Sequence, residues 1–163
     1  WDERRAAATV EAMAEEYRAR IGRHINLSEV RVRPEPGREG DPVRARAREG
    51  ERIAEHLRPG DALVALDERG RERTTAELSA WLAERLAAGR LVFAIGSDLG
   101  LAPELVTNAA EVIALSRLTL PHELARVVML EQLYRSLDLL AGGSYHRGDD
   151  LSFGYNQSRR RLR

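Results

Sequence analysis

Cysteine is absent from this chain, which removes disulfides, thiolate metal sites and cysteine nucleophiles together. Lysine is absent too: all 26 basic residues are arginine, set against 26 acidic ones. The resulting formal charge of +0 lacks the basic excess typical of proteins that bind nucleic acid by electrostatics alone. No run approaches the ~20 apolar residues of a membrane span, and no secretory n-region and h-region open the chain. The four histidines lack H-E-x-x-H or any paired ligand spacing, so no metal site is expected. No Ser-His-Asp order and no carboxylate pair with context supports hydrolysis. A cytoplasmic protein with no membrane or metal partner is the expectation.

What is present fits one α/β domain. The 163 residues and 43% hydrophobic content suffice for a substantial core. Ala6, Val10, Met13, Ala14, Tyr17 and Ile21 recur at threes and fours, predicting a helix from Asp2 to Ile21 with Gly22 as its stop. Val30 and Val32 alternate with charged residues and predict a half-exposed strand. A Pro- and Gly-bearing loop spans Pro34 to Pro42, and Asp41-Pro42 opens a helix reaching about Leu57. Three apolar runs, 62–66, 91–95 and 112–115, read as strands covered on both faces. A Thr74…Glu77 capping box and Pro103 open the helices between them, and Pro121 opens a long amphipathic helix. The alternation predicts a largely parallel sheet.

In such a sheet the strand C-termini share one edge, where ligands bind. The loops 67–70, 96–100 and 116–121 leave that edge and carry small or polar residues. Gly96 and Gly100 allow close backbone approach to a ligand, though a tight turn without a ligand has the same composition. The loop is neither G-x-G-x-x-G nor a P-loop. Leu118, Leu120 and Pro121 can line a slot for a flat ring beside the hydroxyls of Ser116 and Thr119, and an ordinary strand-to-helix connection is the plainer alternative. His122 at a helix start, and Arg126 and Arg135 on a helix flank, equally suit local pairing with neighbouring acids.

Taken in order, Leu66-Asp67, Phe93-Ala-Ile-Gly96, Gly100-Leu101, Leu115-Ser116, Leu118-Thr-Leu-Pro-His122, Glu131-Gln-Leu-Tyr-Arg135 and Tyr145-His-Arg147 resemble the RlmH family. Its members are SPOUT-class methyltransferases that modify large-subunit ribosomal RNA. The resemblance implies a SPOUT-type α/β fold, a mostly parallel sheet with helices on both faces and a C-terminal trefoil knot. It further implies a homodimer acting on the ribosome, with S-adenosylmethionine held by three loops. Those loops align with Leu66 and Asp67, with Gly96, Ser97 and Gly100, and with Leu115, Ser116, Arg117, Leu118, Thr119, Leu120 and Pro121. The methyl acceptor that the resemblance implies is N3 of a pseudouridine. Tyr145, His146, Arg147 and Arg135 are the catalytic candidates, contributed in part across the dimer, and Arg126 and Arg147 the RNA-binding ones.

Two departures accompany the resemblance. Ser97 stands where the family usually has a second glycine, which would weaken cofactor binding if the position required a positive φ. The family's opening strand should precede Trp1, so a truncated or partly recorded start is expected. The domain is taken as 1–147, followed by a basic tail over 148–163. A noncatalytic knotted homodimer that binds RNA or ribosomes, and a generic α/β nucleotide-binding module, are the competing readings.

Overall fold

Three strands carry the core of the computed structural model, which describes residues 3–35 and 41–145, with side chains from residue 7 onward. The elements in chain order are α1 (Glu3–Ile21), α2 (Pro42–Ala54), β1 (Ala62–Glu72), α3 (Thr75–Ala88), β2 (Leu91–Ile95), α4 (Pro103–Asn108), β3 (Glu111–Ala114) and α5 (His122–Leu140). The strands pair in parallel in the order β2-β1-β3, as the alternation of elements predicted.

Successive residues of a strand face opposite sides of its sheet, and β1 uses both. Val64 packs with Ile113, Trp81, Leu82, Leu130 and Leu133 in a core built on α1, α3 and α5. Leu63 and Ala65 pack the other way, with Ala94, Leu101, Ala102 and Leu105 beneath α4 and α2. Helices therefore cover both faces, which is why the runs are continuously apolar.

Local signals set the helix starts. Asp41 caps α2 by accepting from the amides of Val43 and Arg44, at 3.0 and 3.3 Å. Thr74 and Glu77 form the reciprocal capping box of α3. Gly50 on α2 lies so close to the β2–α4 connection that a Cβ there would come within 2.5 Å of Ala102 Cβ.

Two expectations need correction. No strand forms over Val30 and Val32: Val30 is exposed, and no other strand runs beside this segment among the described residues. Side chains tether it instead, with Arg18 and Arg126 donating to Glu29 and Arg31 to Glu11. The first apolar run also does not end at Leu66. β1 continues to Glu72, because Leu66 and Arg71 both pair with Ile113 and the four residues between them are looped out.

Gly70 makes that loop possible. A Cβ there would stand 2.7 Å from the Ile113 carbonyl carbon and 2.8 Å from its nitrogen, atoms already committed to the β1–β3 ladder. We expect Gly70→Ala to cost about 1–3 kcal/mol, the usual range for overpacking. The measurement is the urea midpoint, with the m-value unchanged; an unaltered midpoint would mean that the loop yields freely.

Candidate active site at the carboxyl edge of the sheet

The three loops predicted to meet do meet. Residues 66–69, 95–101 and 115–122, except Arg117, line one cleft of about 650 Å³, joined by Arg46 and Ala125. That volume lies within the usual range for small-molecule sites. Each loop is fixed by its own chemistry. Asp67 holds Arg69 through both carboxylate oxygens, at 2.8 and 2.7 Å, and the Arg69 guanidinium keeps the Asp67 carboxyl below its ordinary range. In the second loop Gly100 has φ +75°, and a Cβ on Gly96 would collide with the Gly100 backbone and lie 2.6 Å from Leu101 N. In the third, Ser116 Oγ accepts from Leu118 N at 2.9 Å.

Contacts between loops close the rim. Thr119 Oγ1 donates to Glu68 Oε2 at 2.8 Å, tying the third loop to the first. His122 Nδ1 lies 3.1 Å from Asp98 Oδ1, tying the start of α5 to the second. Among the cofactor candidates, Leu66, Gly96, Ser97, Gly100, Leu115, Ser116, Leu118, Thr119, Leu120 and Pro121 all line the cleft. Arg117 does not. Its side chain is 87% exposed, with Nε donating to Glu72 at 3.0 Å.

Ser97 carries no backbone strain, since no described residue other than glycine has a positive φ. Its Oγ donates to Glu49 Oε2 at 2.7 Å and accepts from Leu99 N at 3.2 Å. Glu49 is buried on α2 and also accepts from Glu35 N at 2.8 Å. The Ser97 hydroxyl is thus engaged inside the protein both as donor and as acceptor.

The catalytic candidates gather elsewhere. Tyr145 packs edge-on against Tyr134, with ring centroids 4.8 Å apart, and under the Arg135 guanidinium at 4.7 Å. Its hydroxyl lies 3.4 Å from that of Tyr17 and donates to Glu131 at 3.3 Å. The Tyr17 hydrogen bond and burial together push the Tyr145 pKa up to about 12. Arg135 donates to Glu131, one turn back on α5, at 2.9 Å from Nε. From His122 at the cleft, Arg135 is 13 positions along the helix, or ~20 Å at 1.5 Å per residue. One chain does not bring these groups to the cleft. His146 and Arg147 lie outside the described residues.

Arg126 is likewise not a free cation. Its Nη1 donates to Glu11 at 2.9 Å, and its Nε and Nη2 both donate to Glu29 at 2.9 Å, so it joins α5 to α1 and the segment after it. Sequence reading missed Arg46, which reaches the cleft from α2, outside every motif of the loops. Among the described residues no group of three or more His, Asp or Glu is arranged to hold a metal, and no helix is long and apolar enough to cross a membrane.

Comparison with known proteins identifies the family. The family described as predicted SPOUT methyltransferase matches residues 3–146. A protein of Gloeobacter violaceus is 42% identical over 133 residues, covering 82% of this chain and 86% of its own length. One from Maridesulfovibrio salexigens is 43% identical, covering 80% and 84%. One from an Anaeromyxobacter species is 39% identical, covering 82% and 87%. All three are called ribosomal RNA large subunit methyltransferase H.

The Arg126 cluster predicts a pH dependence. Hydrogen bonds from Arg126 hold the Glu29 and Glu11 carboxyls below the ordinary 4.5. A carboxyl depressed in the folded state stabilises fully above its unfolded pKa and loses that effect as pH falls through the folded one. Arg126→Met should therefore lower the urea midpoint at pH 7, and its deficit relative to the parent should shrink as pH drops below about 4.5. A deficit that is the same at pH 7 and pH 3 would show that packing, not charge, is what Arg126 supplies.

Proposed function

Because the chain belongs to the SPOUT methyltransferase family, we propose that it transfers a methyl group from S-adenosylmethionine to N3 of a pseudouridine in the large-subunit RNA of the ribosome. The observation that carries this reading is the convergence of the three loops on one cleft. The names of the relatives supply the substrate class. N3 and pseudouridine come from the resemblance of the Leu118–His122, Glu131–Arg135 and Tyr145 motifs.

The cleft chemistry suits a cationic donor better than a polyphosphate. Its wall has three carboxylates, Asp67, Glu68 and Asp98, against two arginines, Arg46 and Arg69, of which Arg69 is held by Asp67. Leu118, Leu120 and Pro121 offer an apolar surface for the adenine, and Ser116 and Thr119 polar edges. When bound, S-adenosylmethionine supplies an activated methyl group on a sulfonium. What is left for the protein is alignment, removal of the N3 proton and exclusion of water.

Tyr145, with its pKa raised to about 12, stays protonated near neutrality and acts as a hydrogen-bond donor in this setting. Arg135 beside it can hold negative charge developing on the base. His146 is the candidate proton acceptor. Because Arg135, with Tyr145 packed under it, lies ~20 Å along α5 from their own cleft, the pair serves the cleft of a second copy in a homodimer. The trefoil knot belongs to the same proposal and rests on the family alone.

Calorimetry with S-adenosylmethionine tests the first step: saturable binding is expected, and none at millimolar donor would refute the reading. Tight ATP or NAD binding in its place would favour a nucleotide-binding module. Binding without methylation of ribosomes lacking the modification would leave a noncatalytic RNA-binding protein. The two-copy site has its own test. Gly96→Val, which blocks the cofactor loop, and Tyr145→Phe should each lower methylation of ribosomes at least tenfold. Co-expression of the two should restore about a quarter of the parental activity, since half the molecules are mixed dimers with one intact site. No restoration would place Tyr145 and the cleft in the same chain.

A further inference from the structure

Arg46 is the one charged side chain on the cleft wall that has no hydrogen bond or ion pair among the described residues. Asp67 and Arg69 hold each other, Asp98 holds His122, and Glu68 holds the Thr119 hydroxyl. Arg46 Nε is buried without a partner, and a buried donor left unsatisfied carries a desolvation cost that a bound acceptor removes. The helix that presents it is pinned in place. Three residues on, and so on the same face of α2, Glu49 accepts from Ser97 in the second loop at 2.7 Å. One residue further, Gly50 abuts Ala102 just beyond that loop. Arg46 is therefore held against the second loop and aimed by a rigid scaffold.

We propose that Arg46 binds the carboxylate of the methionine portion of the methyl donor, and that Glu49, through Ser97, positions both the arginine's helix and the loop. The inference rests on the donor reading given above. The donor carries a sulfonium, an ammonium and one carboxylate. Glu68 and Asp98 on the wall complement its cationic groups, and Arg46 is the cation left for its anionic one. A planar guanidinium matches a carboxylate through paired N–H donors.

The test is donor binding by calorimetry, with S-adenosylmethionine and with its decarboxylated analogue, to the full chain and to Arg46→Gln. The parent should bind the decarboxylated donor about 10- to 100-fold more weakly, the effect of one charge-assisted hydrogen bond. Arg46→Gln should lose a similar factor toward S-adenosylmethionine and little toward the analogue. Equal affinity of parent and variant for S-adenosylmethionine would overturn the inference while leaving the function intact. Equal losses toward both ligands would also overturn it, making Arg46 a wall residue only. Unchanged donor affinity with weaker, less salt-dependent binding to ribosomes would reassign Arg46 to an RNA phosphate. A parent chain that binds neither ligand would refute the functional reading itself. Should Arg46→Gln fail to fold, Arg46→Lys and the two-ligand comparison on the parent still decide the matter.

Discussion

Ile113 pairs with both Leu66 and Arg71, and most of the site follows from that double pairing. A parallel strand that resumes after an interruption must expel the residues between, and here 67–70 are forced out at the sheet edge where β2 and β3 also end. The expelled loop presents Asp67, Glu68 and Arg69 to the cleft. Because β1 lies between β2 and β3, its loop sits between the other two, and Glu68 can reach Thr119 across the gap. The cleft is thus a consequence of strand order and register more than of any one binding residue.

The sequence was most legible where a single residue type forces local geometry. Asp41-Pro42, the Thr74 and Glu77 pair, and Gly96 to Gly100 each announced a feature that formed where expected. The apolar runs revealed strands because both faces are covered. Legibility failed where the outcome depended on partners distant in sequence. Val30 and Val32 have the alternation of a strand, but alternation without a neighbouring strand yields no ladder. The resumption of β1 was hidden because Arg71 and Glu72 are polar, and their pairing with Ile113 and Ala114 is a backbone matter. Arg46 could not be found from spacing at all. Only the fold brings α2 beside the loop of residues 95–101.

Arginines show what a balanced charge is used for. Arg126, the RNA-binding candidate, and Arg135, a catalytic one, both lie on a helix flank that suited pairing with acids, and their donors are directed to Glu11, Glu29 and Glu131. Arg18, Arg52, Arg73, Arg90 and Arg117 are likewise ion-paired. A chain with as many acids as bases can use guanidinium groups as struts between helices, and these fix α1 against α5 and the segment after α1 against both. Such struts in turn hold Tyr17 where it meets Tyr134 and Tyr145. Charge pairing therefore serves the geometry of the aromatic cluster before it serves any ligand.

That cluster packs on α5 around Glu131, Tyr134 and Arg135, away from the cleft at the start of the helix, and their separation bears on mechanism. Glu131 and Arg135, which hold Tyr145, are 9 and 13 positions beyond His122, or ~14 and ~20 Å along the helix, too far for Tyr145 to approach a methyl group in the cleft of its own chain without unpicking its contacts with Tyr17, Glu131 and Asp138. Methyl transfer needs reacting atoms within ~3.5 Å. If the cluster and the cleft take part in one reaction, as the proposed function requires, two copies must be arranged so that the cluster of one meets the cleft of the other. A two-fold axis does this with a single interface. Dimerisation on this account completes each active site, and α5 is its measuring rod.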